Sequence, residues 1–125
     1  WSLDNRTVGL RQPNGPANAR RIENRIPGAD ANPYLAIAAS LACGLLGIIE
    51  EIDPTAQIEG SGYDRAHSLP RHIHEALAKF HRCKPLKDLL GEEFSAAVLA
   101  VKEAEWDAYQ TVISAWEREH LLLNV

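Results

Sequence analysis

The chain has 125 residues, 46% of them apolar, and a net charge of −4, which is enough apolar content to give one domain at most a real core. An acidic balance argues against general binding of nucleic acid or anionic membranes, which calls for a basic surface. Two cysteines, Cys43 and Cys83, make no disulfide framework, so a reducing, cytoplasmic setting is expected.

There is no methionine, and the chain opens on Trp1 within strand-like sequence, which leads us to expect a fragment of a longer protein. Charge is unevenly spread. Arg6, Arg11, Arg20, Arg21 and Arg25 face only Asp4 and Glu23, leaving +3 in the first 27 residues and −7 in the rest. The first lysine is Lys79.

In chain order, Thr7 to Arg11 and Arg20 to Ile26 read as strands joined by the Pro- and Asn-Gly-rich stretch 12–18, an expected hairpin with a long connection. The period of two puts Arg21, Glu23 and Arg25 on one face and Ile22 and Ile26 on a core face. Pro27-Gly28 ends the second strand. Asn32-Pro33 is a helix start, with Asn as N-cap and Pro at the first helical position. Tyr34, Ile37, Leu41, Leu45, Ile48 and Ile52 recur at helical spacing, up to a stop at Asp53-Pro54. The run from Ala31 to Ile49 carries no charge. Its Ala and Gly content, marginal length and lack of basic flanks favour a fully buried core helix over a membrane span.

Residues 55–68 read as a surface loop. A second helix is expected from Leu69 to Arg82, capped by Ser68, with Ile73, Leu77 and Phe80 inward. Leu86 to Leu90 reads as a short turn ending at Gly91. One long helix is expected from Glu92 to Leu121, with Phe94, Ala97, Val98, Val101, Ala108, Val112 and Trp116 as its inner stripe, widened by Trp106, Tyr109 and Ile113. The fold class is therefore α+β and mostly helical: a hairpin followed by three helices.

The chemistry concentrates in Arg21-x-Glu23-x-Arg25, a carboxylate between two guanidinium groups. On spacing alone, a cross-strand salt-bridge ladder accounts for it. The functional alternative is a polyanion site, in which arginine grips phosphate or carboxylate bidentately and the carboxylate holds a phosphate-bridging Mg²⁺. Phosphoryl transfer needs such cationic positioning. His72 and His74, two apart on a helix, face different ways, and a solvated role suits them better than zinc.

Three blocks together resemble the end of the catalytic domain of glutamine synthetases. They are Asn5-Arg6-Thr7-Val8-Gly9-Leu10-Arg11, Arg20-Arg21-Ile22-Glu23-Asn24-Arg25, and Pro27 through Ala36. Pro85 to Phe94 and Ala115 to Glu119 resemble the branch that makes γ-glutamyl-polyamines, the γ-glutamylputrescine synthetases. The resemblance spans residues 1–125 as a C-terminal piece of that domain. It implies an ATP- and Mg²⁺- or Mn²⁺-dependent ligase of nitrogen metabolism that joins ammonia or a polyamine to the γ-carboxylate of glutamate, by way of a γ-glutamyl phosphate.

By position, the resemblance makes Arg6 a contact of the transferred phosphoryl and glutamyl groups. Arg11 and Arg21 fall near the ATP phosphates, Glu23 becomes a ligand of the nucleotide-associated metal, and Arg25 binds glutamate. A lysine common before the second strand in bacterial glutamine-forming members is missing, since Ala17-Asn18-Ala19-Arg20 stands there. The family's other metal ligands, its nucleotide pocket and its amine pocket lie upstream of these blocks, so the piece alone is expected to be inactive. Members form stacked rings, and the apolar tail His120 to Val125 suits a packing or oligomerisation module with no activity of its own, the alternative reading.

Overall fold

A computed structural model describes residues 1–66 and 69–124 of the chain. It divides into two compact units, Trp1–Leu69 and Pro70–Val125. The α+β, mostly helical class expected from the sequence holds.

The first unit carries three short strands, β1 (Ser2–Leu3), β2 (Leu10–Gln12) and β3 (Glu23–Asn24), in the order β1-β2-β3. The expected hairpin is present as the antiparallel pair β2–β3, with Leu10 opposite Asn24 and Arg11 opposite Glu23. The strands are shorter than expected. Asn5 ties Thr7 into a turn by accepting its backbone N–H at 2.9 Å and its hydroxyl at 2.7 Å, which takes Thr7 out of the ladder. On the other side the connection holds a 3₁₀ turn at Ala17–Ala19.

β1 was not anticipated as a paired strand. It runs parallel to β2, with Ser2 opposite Arg11 and Leu3 opposite Gln12. Parallel pairing ordinarily requires a crossover of a dozen residues or more. Here the pairing covers two residues, and the chain reverses at once through Asp4, whose φ is +44°. The backbone N–H of Asp4 donates to Gln12 O at 2.9 Å and fixes the return.

Helix α1 spans Pro33–Ile49 and begins where Asn32-Pro33 placed it. Asn32 Oδ1 accepts from the backbone N–H groups of Tyr34 (3.0 Å) and Leu35 (3.3 Å). It ends before Asp53-Pro54 by a different device. Ile52 N–H donates to Gly47 O at 2.9 Å and Glu51 N–H to Ile48 O at 3.3 Å, with Glu51 at φ +50°. That is a Schellman closure with glutamate in the position glycine favours.

The expectation of a fully buried helix is overturned. Ala42 is buried, but Ile37, Leu41, Leu45, Ile48 and Ile49 are exposed, Ile48 at 76%. The helix is apolar all round, and the first unit covers one narrow strip of it. The expected core face of β3 is corrected likewise. Ile22 and Ile26 are exposed; Ile26 lies against Gly9, where an added Cβ would stand 3.2 Å from its side chain. No helix among the described residues is long and apolar enough to cross a membrane.

The segment after α1 is irregular but laced to the N-terminus. Trp1 Nε1 donates to Thr55 O (2.6 Å), Ser2 Oγ to Ile58 O (2.7 Å), Ile58 N–H to Trp1 O (2.9 Å) and Asn5 Nδ2 to Gly60 O (2.7 Å). It ends in a 3₁₀ turn, Gly62–Asp64.

The second unit holds α2 (Ile73–Arg82), α3 (Lys84–Leu90), α4 (Glu92–Gln110) and α5 (Ala115–His120). The expected Ser68 cap and His67 lie outside the described residues, as does Val125; α2 starts after His72, whose side chain makes no capping bond. Leu77 is buried and Phe80 half-buried as expected, whereas Ile73 is exposed. The expected turn at 86–90 is the helix α3. The expected single helix 92–121 is two helices: α4 ends at Gln110, the β-branched Thr111-Val112-Ile113 follow, and Ser114 opens α5 with a reciprocal capping box to Glu117. The inner stripe is also corrected. Val98 and Trp106 are half-buried within it, but the buried residues are Ser95 and Leu99, with Lys102 half-buried, while Phe94, Val101, Tyr109, Val112, Ile113 and Trp116 are exposed.

Candidate anion and metal site on the N-terminal sheet

Register makes the site. Because Arg11 on β2 stands opposite Glu23 on β3, its NH1 donates to Glu23 Oε2 at 2.6 Å. From just before β3, Arg21 NH2 donates to Glu23 Oε1 at 3.0 Å. The other terminal nitrogen of Arg11 donates to Asp4 Oδ1, and Asn14 Nδ2 donates to Asp4 Oδ2 at 3.4 Å. The result is one chain of ion pairs, Asp4–Arg11–Glu23–Arg21.

Exposure is graded along it. The Arg11 side chain is 13% exposed, Glu23 29% and Arg21 58%. The hydrogen bond from Arg11, aided by its charge and by Arg21, holds the Glu23 carboxyl below the usual carboxylate range against the opposing effect of burial. Glu23 and then Asp4 push the Arg11 guanidinium up, so it stays charged. Arg11 Nε is buried with no partner among the described residues.

The sequence-expected residues are therefore not equivalent. Arg11, Glu23 and Arg21 are joined. Arg25 is exposed and takes no part in the ion pairs among the described residues; its backbone N–H donates to Gly9 O at 2.8 Å and extends the hairpin. Arg6 is exposed, between Asn5 and Thr7, both of which bond to the segment 55–62. Asp4 was counted in the sequence only as opposing charge. Its role depends on a positive-φ reversal that composition does not announce.

Glu23 fits a hard divalent cation as a single ligand. A carboxylate has about four lone-pair positions, and two are used by the arginines. Among the described residues no three His, Cys, Asp or Glu side chains gather, so any cation at Glu23 draws its other ligands from elsewhere. His72 and His74 line a separate open groove in the second unit with Glu75, Arg82 and Trp106.

The family model for the glutamine synthetase catalytic domain matches residues 1–121. The chain is 36% identical to glutamine synthetase of Rhizobium meliloti (strain 1021) over 98% of its own length and 28% of that protein's. It is 38% identical to γ-glutamylputrescine synthetase PuuA of Escherichia coli (strain K12) over 99% of its length and 26% of that protein's. A solved structure described as GmaS in its apo form superposes with a TM-score of 0.82 at 34% identity, covering 98% of this chain and 29% of that one. The chain thus spans somewhat more than a quarter of the length of these relatives. With the three sequence blocks, the α+β fold and the family match in agreement over nearly every residue, the chain belongs to the glutamine synthetase catalytic-domain family.

Proposed function

We propose that this chain is the C-terminal part of the catalytic domain of an ATP-dependent glutamate–amine ligase. The observation that carries the reading is the state of Glu23: its carboxylate accepts one N–H from each of two arginines and keeps lone pairs and partial exposure for a cation. In this reading Glu23 is one ligand of a Mg²⁺ or Mn²⁺ that would neutralise ATP phosphate charge. Arg11 and Arg21 lie beside the phosphates, Arg6 meets the transferred phosphoryl and the glutamyl group, and Arg25 binds the glutamate carboxylate.

The chemistry is two displacements. A γ-carboxylate oxygen of glutamate attacks the γ-phosphorus of ATP and ADP leaves. The amine nitrogen then attacks the acyl carbon, phosphate leaves, and an N–H proton is released. Guanidinium groups held on a strand offset the charge on the phosphoryl oxygens in the first step, and their rigidity limits reorganisation. The acceptor is a polyamine or ammonia. The residues 85–94 and 115–119 and the relative PuuA support the polyamine; the relative from Rhizobium meliloti supports ammonia.

The full-length protein is assayed for phosphate release from ATP with glutamate plus ammonia or putrescine. If neither amine gives phosphate release, the reading is overturned. Glu23→Gln is expected to weaken Mn²⁺ binding about 100-fold or more, since residues merely supporting a ligand cost about 10–100-fold.

A second reading is compatible: a packing module within a ring-like homo-oligomer located in the cytoplasm. The exposed apolar faces of α1 and α4 and the exposed Leu121, Leu122 and Leu123 support it. Light scattering on the full-length protein is expected to give a mass several times that of one chain; a clean monomer removes this reading.

A further inference from the structure

We infer that Asp4 is a positioning residue for Glu23, acting through Arg11, and that it sets how tightly the site holds a divalent cation. The inference rests on the reading of Glu23 as a metal ligand.

Arg11 stands between two carboxylates, with NH1 on Glu23 and NH2 on Asp4. A guanidinium facing one carboxylate alone prefers the fork-to-fork geometry, in which two parallel N–H groups occupy both oxygens. On Glu23 that would add a second Arg11 donor where Arg21 already takes Oε1. It would also crowd out the lone pairs a cation needs. Asp4 prevents it by holding the second terminal nitrogen. Arg11 is then left with a single bond to Glu23, and the carboxylate is oriented without being closed.

Asp4 is itself fixed. Its backbone sits at φ +44°, its N–H bonds Gln12 O at 2.9 Å beyond the end of the β1–β2 pairing, and Asn14 Nδ2 reaches its other oxygen at 3.4 Å. The Arg11 side chain is 13% exposed and its Nε is enclosed, so the guanidinium has little room to turn while both carboxylates hold it. The short, irregular β1 therefore has a chemical use: it brings a carboxylate to the back of the arginine that steers Glu23.

Two substitutions separate this from a purely structural role, because their effects on charge and on backbone run in opposite directions. Asp4→Asn removes the charge but keeps a residue at home in the left-handed region; Asp4→Glu keeps the charge but not that preference. The full-length protein is titrated with Mn²⁺ without nucleotide, reading free Mn²⁺ by electron paramagnetic resonance. Asp4→Asn is expected to weaken binding about 10-fold or more, with Asp4→Glu within about threefold of wild type. Any other pattern overturns the inference, and the reverse order would make Asp4 a turn residue only. Glu23→Gln is run beside them. If it binds Mn²⁺ as the wild type does, the reading of Glu23 falls and this inference falls with it. If it loses Mn²⁺ while Asp4→Asn does not, the role of Asp4 alone is refuted.

Discussion

Gly62→Ala tests how the segment after α1 supports the residues around Arg6. A Cβ on Gly62 would stand 2.5 Å from the carbonyl oxygen of Thr7, 3.0 Å from its carbon and 3.2 Å from its Oγ1. No side-chain rotation relieves a clash with backbone, so the two segments must separate. The bond from Gly62 N–H to Thr7 Oγ1, now 2.7 Å, is lost with that movement. Overpacking costs about 1–3 kcal/mol and the hydrogen bond about 0.5–1.5 kcal/mol. Together they come to about 1.5–4.5 kcal/mol, and since about 1.4 kcal/mol is tenfold, local opening becomes about 10- to 1,500-fold more frequent. The reporter is the amide of Ile58, which donates to Trp1 O in the same lacing. Hydrogen exchange there should accelerate by that factor, while the amide of Leu99 in the second unit keeps its rate. Arg6 lies between Asn5 and Thr7, both bonded to this segment, so on the proposed reading turnover by the full-length protein should fall with it. An unchanged Ile58 rate, or equal acceleration at Leu99, refutes the argument: the first means the lacing is not stressed, the second that the effect is global.

Ser95 is 1% exposed and its hydroxyl has no hydrogen-bond partner among the described residues. Ser95→Ala removes an unsatisfied buried group and adds a better helix former, so thermal or denaturant unfolding should report a gain of about 1–2 kcal/mol; a loss means the hydroxyl has a partner in the whole protein. The Glu117 carboxyl is held below the usual range, first by the Ser114 backbone N–H, which it accepts at 2.7 Å, and then by the Ser114 side chain. Since its folded value is depressed, its contribution to α5 is full above the ordinary carboxylate range and is lost as pH falls through the lowered value. Carboxyl-carbon shifts followed by NMR should titrate below the ordinary range with α5 protection falling in step, and titration at or above that range rules the capping box out.

Where the sequence carried a local device, the fold was legible. Asn32-Pro33 marked the start of α1, and Gly91, at φ +93°, marks the break between α3 and α4. The α4–α5 break was equally local: Ser114 and Glu117 stand at capping-box spacing behind three β-branched residues. An apolar periodicity running through 92–121 outweighed it. Faces were harder. In α4 the buried Ser95 and Leu99 sit one position from the expected Phe94 and Val98, because alanine, valine and leucine occur on both sides. A period identifies a face only when the opposite face is polar. On α1 no face is polar, and its exposed isoleucines and leucines belong to a chain that spans a quarter or so of its relatives' length.

The site divides along the same line. Arg21 and Glu23 are two residues apart in the sequence, so the alternation of the expected strand put them together, although Arg21 lies just before β3. Arg11 joins them through hairpin register across a long connection, which no rule of spacing sets. Asp4 joins through a reversal at positive φ. Once all four are connected, the choice left open by the sequence, ladder or polyanion site, can be argued from charge. A salt-bridge ladder neutralises itself. Here Asp4 and Glu23 are shared between Arg11 and Arg21, while Arg6, Arg20 and Arg25 in the same 27 residues have no carboxylate partner among the described residues. Two carboxylates cannot balance five arginines, and both are already used in orienting one another's partner. On the proposed reading, that surplus of positive charge is what a bound polyanion would offset.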